Sequence, residues 1–243
     1  MSLESKFPPI EQFPAPLRHV VTARLRAAIT SGHLKPGDRL VEARLSKALM
    51  VSRPSLREAM RQIEAEGLID IVPNVGPVVR ELTLDQIKQA CDLLGAVEAL
   101  CARYFAKNGT AKQIEAFERS IDMLEIAASK NKDYEEIIKA KRIYYDAFLD
   151  GSGSELCQTY ARQLLAVLSY YWGMSLRKPG RPAEGLGEMR RLLEAIRARE
   201  PELAASASLT HTRHAADTVL FALASTDLKP AKRADATPRK TAK

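Results

Sequence analysis

Three arginines recur at every fourth position in the first third of the chain: Arg53, Arg57 and Arg61. This spacing places their side chains on one face of a helix. Guanidinium groups combine a positive charge with several hydrogen-bond donors, which suits contacts with DNA phosphates and with guanine edges in the major groove. The alternative is an ordinary solvated helix face, because acidic residues such as Glu58 lie close by.

The elements that would position these arginines are indicated by residues 34–72. Apolar residues at helical spacing predict two short helices that are joined by a turn at Met50 and Val51. Ser52 can cap the second helix through its hydroxyl, and Pro54 lacks an N–H that would be unpaired in the first turn. The predicted stripes are Val41, Leu45, Ala48 and Leu49 in the first helix, and Leu56, Ala59, Met60 and Ile63 in the second.

A pair of short β-prone runs, 68–72 and 77–80, follows Gly67, which can end the second helix. They predict a small two-stranded wing with Gly76 at its tip, where the missing side chain would let the backbone approach a phosphate. Helix, turn, helix and wing in this order predict a winged helix-turn-helix. This arrangement favours nucleic-acid binding by the arginines over a merely solvated face.

The segment from Leu34 to Arg80 resembles the DNA-binding domain of the GntR family of bacterial transcriptional regulators, with a match over about residues 15–82. The resemblance implies that the Ser-Arg pair opening the second helix, the neighbouring arginines and the wing glycine touch DNA. The chain has Val75 where the family often has a basic or polar residue. The predicted contacts are Arg44, Ser52, Arg53, Arg57 and Gly76, together with Ser55 in the same helical turn.

The positive charge of the chain is concentrated toward its two ends. Residues 1–82 hold twelve Lys/Arg against nine Asp/Glu, residues 83–225 hold nineteen of each, and residues 226–243 hold six against two. A neutral middle favours small-molecule or protein contacts over a second nucleic-acid surface. We expect a flexible arm at 1–14, a winged helix-turn-helix at 15–82, a helical domain at 83–225, and a disordered basic tail that aids solubility or touches phosphates.

Cysteine usage and hydropathy indicate a cytoplasmic protein. The three cysteines fit no metal or disulfide spacing, and Cys91 and Cys101 lie on an apolar helix face, which suits a reducing compartment. Neither a signal peptide nor a membrane span is predicted. The sequence shows no G-x-S-x-G, phosphate-binding or zinc-protease motif, so an all-helical enzyme is the less favoured alternative.

Helical spacing continues from Thr83 to about residue 225 and predicts an all-helical bundle of about six helices, so the fold class is mainly α. This architecture, with short motifs at Asp150–Gly153 and Leu193–Ile196, resembles the FCD (FadR-type) subgroup of the GntR family. The resemblance implies a homodimer, and hence an inverted-repeat operator in double-stranded DNA. It also implies a small organic acid bound in the bundle, in many members through a metal held by one Asp and three His.

The chain departs from that metal site. Alignment on the short motifs places Lys141 at the position of the Asp, and Tyr145 and Met189 at the positions of two histidines. Only the last histidine is kept, as His211. One neutral imidazole and one lysine cannot hold a divalent ion, so we expect no metal and no other cofactor.

Helical spacing also places two charged residues, Lys141 and Glu98, on otherwise apolar stripes. A charge inside a bundle is costly unless it is paired or used. In one interpretation Lys141 extends to solvent or pairs with Glu98, and the helical domain only dimerises. In the other, Lys141 replaces the metal as the positive charge of an effector pocket, with Tyr145 and His211 as hydrogen-bonding partners. Glu98 is then also an effector-binding residue, and Met189 is core or pocket wall.

Overall fold

The computed structural model divides the chain into two compact units, Met1–Arg80 and Glu81–Lys243. The predicted arm at 1–14 and the predicted tail at 226–243 lie outside the described residues, and both remain predictions. The residues that the structure describes are 15–129, 134–176, 178 and 180–225.

The first unit is a winged helix-turn-helix, as predicted. Its wing is an antiparallel pair in which Ile69 lies opposite Val79 and Val72 lies opposite Gly76. Its elements are α1 (Ala15–Thr30), α2 (Glu42–Leu49), α3 (Arg53–Ala65), β1 (Ile69–Val72) and β2 (Gly76–Val79).

The start and the buried face of α3 agree with the prediction. The Ser52 hydroxyl accepts a hydrogen bond from the Ser55 N–H at 3.3 Å, and Pro54 lies in the first turn. Leu56, Ala59, Met60 and Ile63 are all buried, and α3 packs against α1. Each large apolar side chain removed from water contributes about 1.5–3 kcal/mol, so this stripe fixes α3 firmly in the unit.

The predicted apolar stripe of α2 is wrong in part. Val41 is 38% exposed and Ala48 is exposed, while Leu45 and Leu49 are only partly buried. The reason is that α2 has eight residues and packs against α3 along a narrow edge, with Val41 already outside the helix as its N-cap. The predicted turn is confirmed, because Met50 takes a left-handed conformation (φ 52°) that ends α2.

The second unit is a bundle of helices, and the residues described there include no strand. The two longest helices, α4 and α9, pack against each other, α7 packs on both, and α5 packs between α6 and α8. The helices are α4 (Leu84–Asn108), α5 (Ala111–Ser129), α6 (Tyr134–Gly151), α7 (Glu155–Leu176), α8 (Arg181–Arg197) and α9 (Pro201–Ser225).

Local signals explain where these helices begin and end. Thr83 caps α4 through a reciprocal pair of hydrogen bonds with Gln86, of 3.2 Å and 2.9 Å. Gly151 ends α6 against the ring of Phe105, and a Cβ at this glycine would lie 2.2 Å from that ring. Gly153 then takes a left-handed conformation before α7 begins.

The core of the bundle is apolar and partly aromatic. Phe117 lies at its centre, with ring centroids 5.5 Å from Phe105, 5.3 Å from Tyr144 and 5.7 Å from Phe148. The three cysteines are buried and free, as their apolar helical positions predicted for Cys91 and Cys101. None of the described helices has the length and apolar character that crossing a lipid bilayer requires.

Candidate DNA-binding surface and effector cavity

The predicted DNA contacts of the helix-turn-helix are accessible in the first unit. Arg44 on α2 and Arg53 on α3 are exposed. Ser52 and Ser55 lie at the N-terminus of α3 with their hydroxyls 2.9 Å apart. A helix N-terminus carries partial positive charge and unpaired N–H groups, so this end of α3 favours a phosphate or a base acceptor.

The three arginines of α3 have different surroundings. Arg53 makes no ion pair among the described residues, whereas Arg61 pairs with Glu58 on its own helix at 2.8 Å. Arg57 donates its Nε–H to both carboxylate oxygens of Glu42 on α2, at 3.1 Å and 2.9 Å. This contact holds the Arg57 guanidinium in one orientation and leaves its Nη groups without a partner among the described residues. Sequence reasoning missed Glu42, which lies fifteen residues away.

Gly76 at the end of the wing is required by its backbone conformation. Its φ is +94°, and a Cβ built there would meet no atom within 4 Å. The tip is therefore open on that side, as a close approach to a phosphate would need. The base of the wing is held by Arg80, whose Nη2 lies 2.6 Å from the Asp70 carboxylate, and by the Leu40 N–H, which donates to the Pro77 carbonyl.

The second unit contains a cavity of about 250 Å³. Three of the predicted effector residues, Lys141, Met189 and His211, line this cavity, whereas Tyr145 and Glu98 do not. The cavity is lined by Leu124, Ala128, Ile137, Lys141, Ser175, Arg181, Pro182, Gly185, Leu186, Met189, His211 and Ala215.

Lys141 lies in the cavity wall, is partly exposed, and has no ion-pair partner in the described part of the chain. Its Nζ is 5.7 Å from the ring centroid of Trp172 and 5.9 Å from that of Tyr145. It makes no ion pair with a carboxylate among the described residues, so the pairing with Glu98 that one interpretation expected does not form. Burial lowers the pKa of Lys141 to about 8, against the opposing charge of Glu98.

Glu98 belongs to the core of the bundle and not to the cavity wall. Its Oε2 accepts a hydrogen bond from the Thr212 hydroxyl of α9, and its Oε1 is buried without a hydrogen-bond partner among the described residues. Burial raises the pKa of Glu98 to about 7, although Thr212, Lys141 and Tyr145 oppose this rise. Tyr145 also interacts with this carboxyl and is outside the cavity lining.

A buried ion-pair cluster next to the cavity was missed by sequence reasoning. Arg181 donates to both oxygens of Glu188, at 3.0 Å and 2.7 Å, and only about 5% of each side chain is exposed. The Nδ1 atoms of His211 and His214 each lie 2.7 Å from this carboxylate. Burial alone would raise the pKa of Glu188, but the hydrogen bonds from His211, Arg181 and His214 bring it well below its usual range.

The donor set at the cavity does not suit the metal that the FCD resemblance implies. The positions aligned with its ligands hold the ammonium of Lys141, the thioether of Met189, and Tyr145, which is outside the cavity lining. The one retained histidine, His211, directs Nδ1 to Glu188. Within the described part of the chain, no group of three or more His, Cys, Asp or Glu side chains is arranged to hold a metal ion.

Comparison with known proteins agrees with both units. Residues 17–79 match the family described as "Bacterial regulatory proteins, gntR family", and residues 89–214 match the FCD domain. The HTH-type transcriptional regulator YdhC of Bacillus subtilis is 24% identical over 191 residues, which cover 79% of this chain and 85% of that protein. The HTH-type transcriptional regulator LutR of Bacillus subtilis is 31% identical over 154 residues, covering 58% and 70%.

The fold is also shared with a solved structure. Escherichia coli McbR/YncC superimposes with a TM-score of 0.76 at 20% identity, over 86% of this chain and 99% of that chain. The two Bacillus subtilis relatives are named as transcriptional regulators, so the alternative of an enzyme is set aside. With a winged helix-turn-helix followed by an FCD domain, this chain belongs to the GntR family and is a DNA-binding transcriptional regulator.

Proposed function

We propose that this regulator binds an inverted-repeat operator as a homodimer, and that a small organic acid bound in the cavity of the second unit controls it. The observation that carries the effector proposal is the ammonium of Lys141, which lies in a cavity of about 250 Å³ and has no carboxylate partner among the residues described. An isolated cation costs free energy inside a bundle unless it has a use. A second unit that served dimerisation alone would have no need of one.

Lys141 is the anchor for the acid group of the effector. A charge-assisted hydrogen bond between an ammonium and a carboxylate is strong where water is excluded. Apolar side chains such as Leu124, Ile137, Leu186 and Met189 line the rest of the cavity and accommodate the carbon skeleton. The site therefore supports a short carboxylate and works without a metal.

On the DNA side, we assign base reading to Arg53 and Arg57 and backbone contacts to Arg44, the two serines and the wing. The guanidinium groups of Arg53 and Arg57 are exposed on the face of α3 away from its buried stripe. One such helix reads only a few base pairs, so a specific site needs two copies of the protein, and twofold symmetry then requires an inverted repeat.

The dimer proposal is tested by sedimentation and by footprinting on operator fragments. We expect a dimer at micromolar concentration that protects both halves of an inverted repeat. A monomer that binds a single half-site tightly would contradict it.

The effector proposal is tested by DNA release with a panel of short carboxylates, from acetate to adipate and including hydroxylated members, in the presence and absence of a chelator. We expect at least one acid to change operator affinity equally under both conditions. Protein that carries stoichiometric zinc, nickel or manganese, and loses its response with the chelator, would contradict a metal-free site.

A further inference from the structure

The hydrogen-bonding role of His211 toward the cavity is fixed by the ion-pair cluster behind it. Its Nδ1 lies 2.7 Å from Oε2 of Glu188, which is ionised. A carboxylate only accepts hydrogen bonds, so Nδ1 carries the hydrogen. Burial lowers the pKa of His211, and the nearby charges of Lys141 and Arg181 lower it further against the bond to Glu188. The neutral ring therefore keeps a lone pair on Nε2.

The cluster also prevents the opposite tautomer. Arg181 donates twice to Glu188, and its Nη2 lies 3.4 Å from the backbone carbonyl of His211. His214 donates to the other carboxylate oxygen at 2.7 Å. These contacts keep the Glu188 carboxylate in place. If the hydrogen of His211 moved to Nε2, the lone pair of Nδ1 would lie against a carboxylate oxygen and the two acceptors would repel each other.

The cavity thus presents polar groups of opposite kinds. Lys141 can only donate, and Nε2 of His211 can only accept. Neither atom has a hydrogen-bond partner among the described residues, and neither does the hydroxyl of Ser175, which can do both. The sequence predicted His211 as a hydrogen-bonding partner of the effector without giving its direction. Its contact with Glu188 makes Nε2 an acceptor.

We propose that the cavity selects carboxylates that also carry a hydroxyl group, with the carboxylate on Lys141 and the hydroxyl donating to Nε2 of His211. This inference rests on the effector function proposed above and narrows its ligand class. An acid without a hydroxyl would shield Nε2 from water without offering it a hydrogen-bond donor. The second carboxylate of a diacid would be repelled by the lone pair of Nε2. Leaving one buried polar group unpaired weakens binding by about tenfold.

The test is calorimetry on the full-length protein with matched acids that differ by one hydroxyl: lactate and propionate, 3-hydroxybutyrate and butyrate, malate and succinate. We expect the hydroxylated member of at least one pair to bind about tenfold more tightly. Equal affinity within every pair that binds would overturn the inference. Binding of no acid at all would refute the effector site itself, and this inference with it.

Two variants distinguish the acceptor role of His211 from the structural role of the Glu188 cluster. His211→Asn keeps an N–H near the position of Nδ1 for Glu188 but has no acceptor at the position of Nε2. This variant should bind the hydroxylated acid and its matched acid without the hydroxyl with equal affinity. His214→Asn removes an imidazole from the other oxygen of the same carboxylate, outside the cavity lining, and should preserve the preference. A hydroxyl preference that survives His211→Asn would contradict the role of Nε2.

A measurement on the unaltered protein needs no ligand. Nitrogen-15 spectra of histidine-labelled protein should show His211 as a neutral ring with its hydrogen on Nδ1. The opposite tautomer, or an imidazolium at neutral pH, would overturn the inference whichever acid binds.

Discussion

The arginines of α3 and Lys141 of α6 both provide positive charge, but their surroundings differ. The arginines are exposed to water, two of them pair with glutamates, and the side chain of Arg57 is 60% exposed. Water and salt weaken each such charge, so binding there depends on several contacts together. Lys141 acts alone, with aromatic rings beside it and a pKa lowered to about 8. The DNA-binding surface therefore relies on several weakened charges together, whereas the cavity relies on one cation that water screens less.

The largest difference between buried and exposed charges should appear in stability. Arg181→Met removes the guanidinium from a nearly fully buried Glu188. It should lower the free energy of unfolding by about 3 kcal/mol, at the lower end for such pairs because two histidines still donate to the carboxylate. Arg61→Met breaks only an exposed pair with Glu58 and should change little. Urea unfolding at neutral pH compares the two, and similar losses would mean that burial is not what distinguishes the sites.

The next effect concerns DNA. Arg53→Ala or Arg57→Ala should cost about 1–3 kcal/mol on the cognate operator and relax base preference at one position in each half-site. The reason is that alanine cannot replace the hydrogen bonds that a guanidinium donates to a guanine edge. Binding titrations on the operator and on singly substituted sites measure this. Equal losses on all sequences would show that the arginines contact phosphates only.

The local features of the fold were predictable from sequence, and the contacts between distant segments were not. The caps at Ser52 and Thr83 and the buried stripe of α3 follow from neighbouring residues alone. The exposure of Val41 depends on how little of α2 the neighbouring helix covers. The pairing of Arg181 with Glu188, seven residues apart, had a helical signal, but the histidines that join it come from another helix.

The effector cavity was predictable in its anchor and not in its polarity. Periodicity placed Lys141 on an apolar stripe, and the resemblance aligned Met189 and His211 with it. Which nitrogen of His211 carries a hydrogen depends on Glu188, whose ionisation depends on Arg181 in turn. No spacing rule encodes this chain of contacts.

The response to pH should also separate the two sites. Lys141 is charged below a pH of about 8, because its pKa is lowered by burial. As the pH rises above this value the ammonium loses its proton, and affinity for an anionic effector should fall by about tenfold per pH unit. Operator binding without effector relies on arginines, which stay charged, so it should change much less between pH 7 and about 9.5. An effector affinity that is constant over this range would contradict Lys141 as the anchor.

The smallest effect should come from the residue that orients Arg57. Glu42→Gln weakens the contact that holds the Arg57 guanidinium and also removes a negative charge near the DNA. It should reduce discrimination between cognate and substituted sites by about 0.5–1 kcal/mol, less than Arg57→Ala does. Non-specific binding should be maintained or improved. A gain in discrimination would show that Glu42 competes with DNA for Arg57 and does not position it.

The central claim, that the partly buried ammonium of Lys141 anchors the effector, is tested most directly by Lys141→Met. Operator affinity and dimerisation should remain near their original values, while the acids that change operator affinity in the original protein should have no effect at any concentration tested. Lys88→Met, which removes an exposed lysine from α4, should leave the response intact. A Lys141→Met protein that still responds to the same acid at the same concentration would contradict the account.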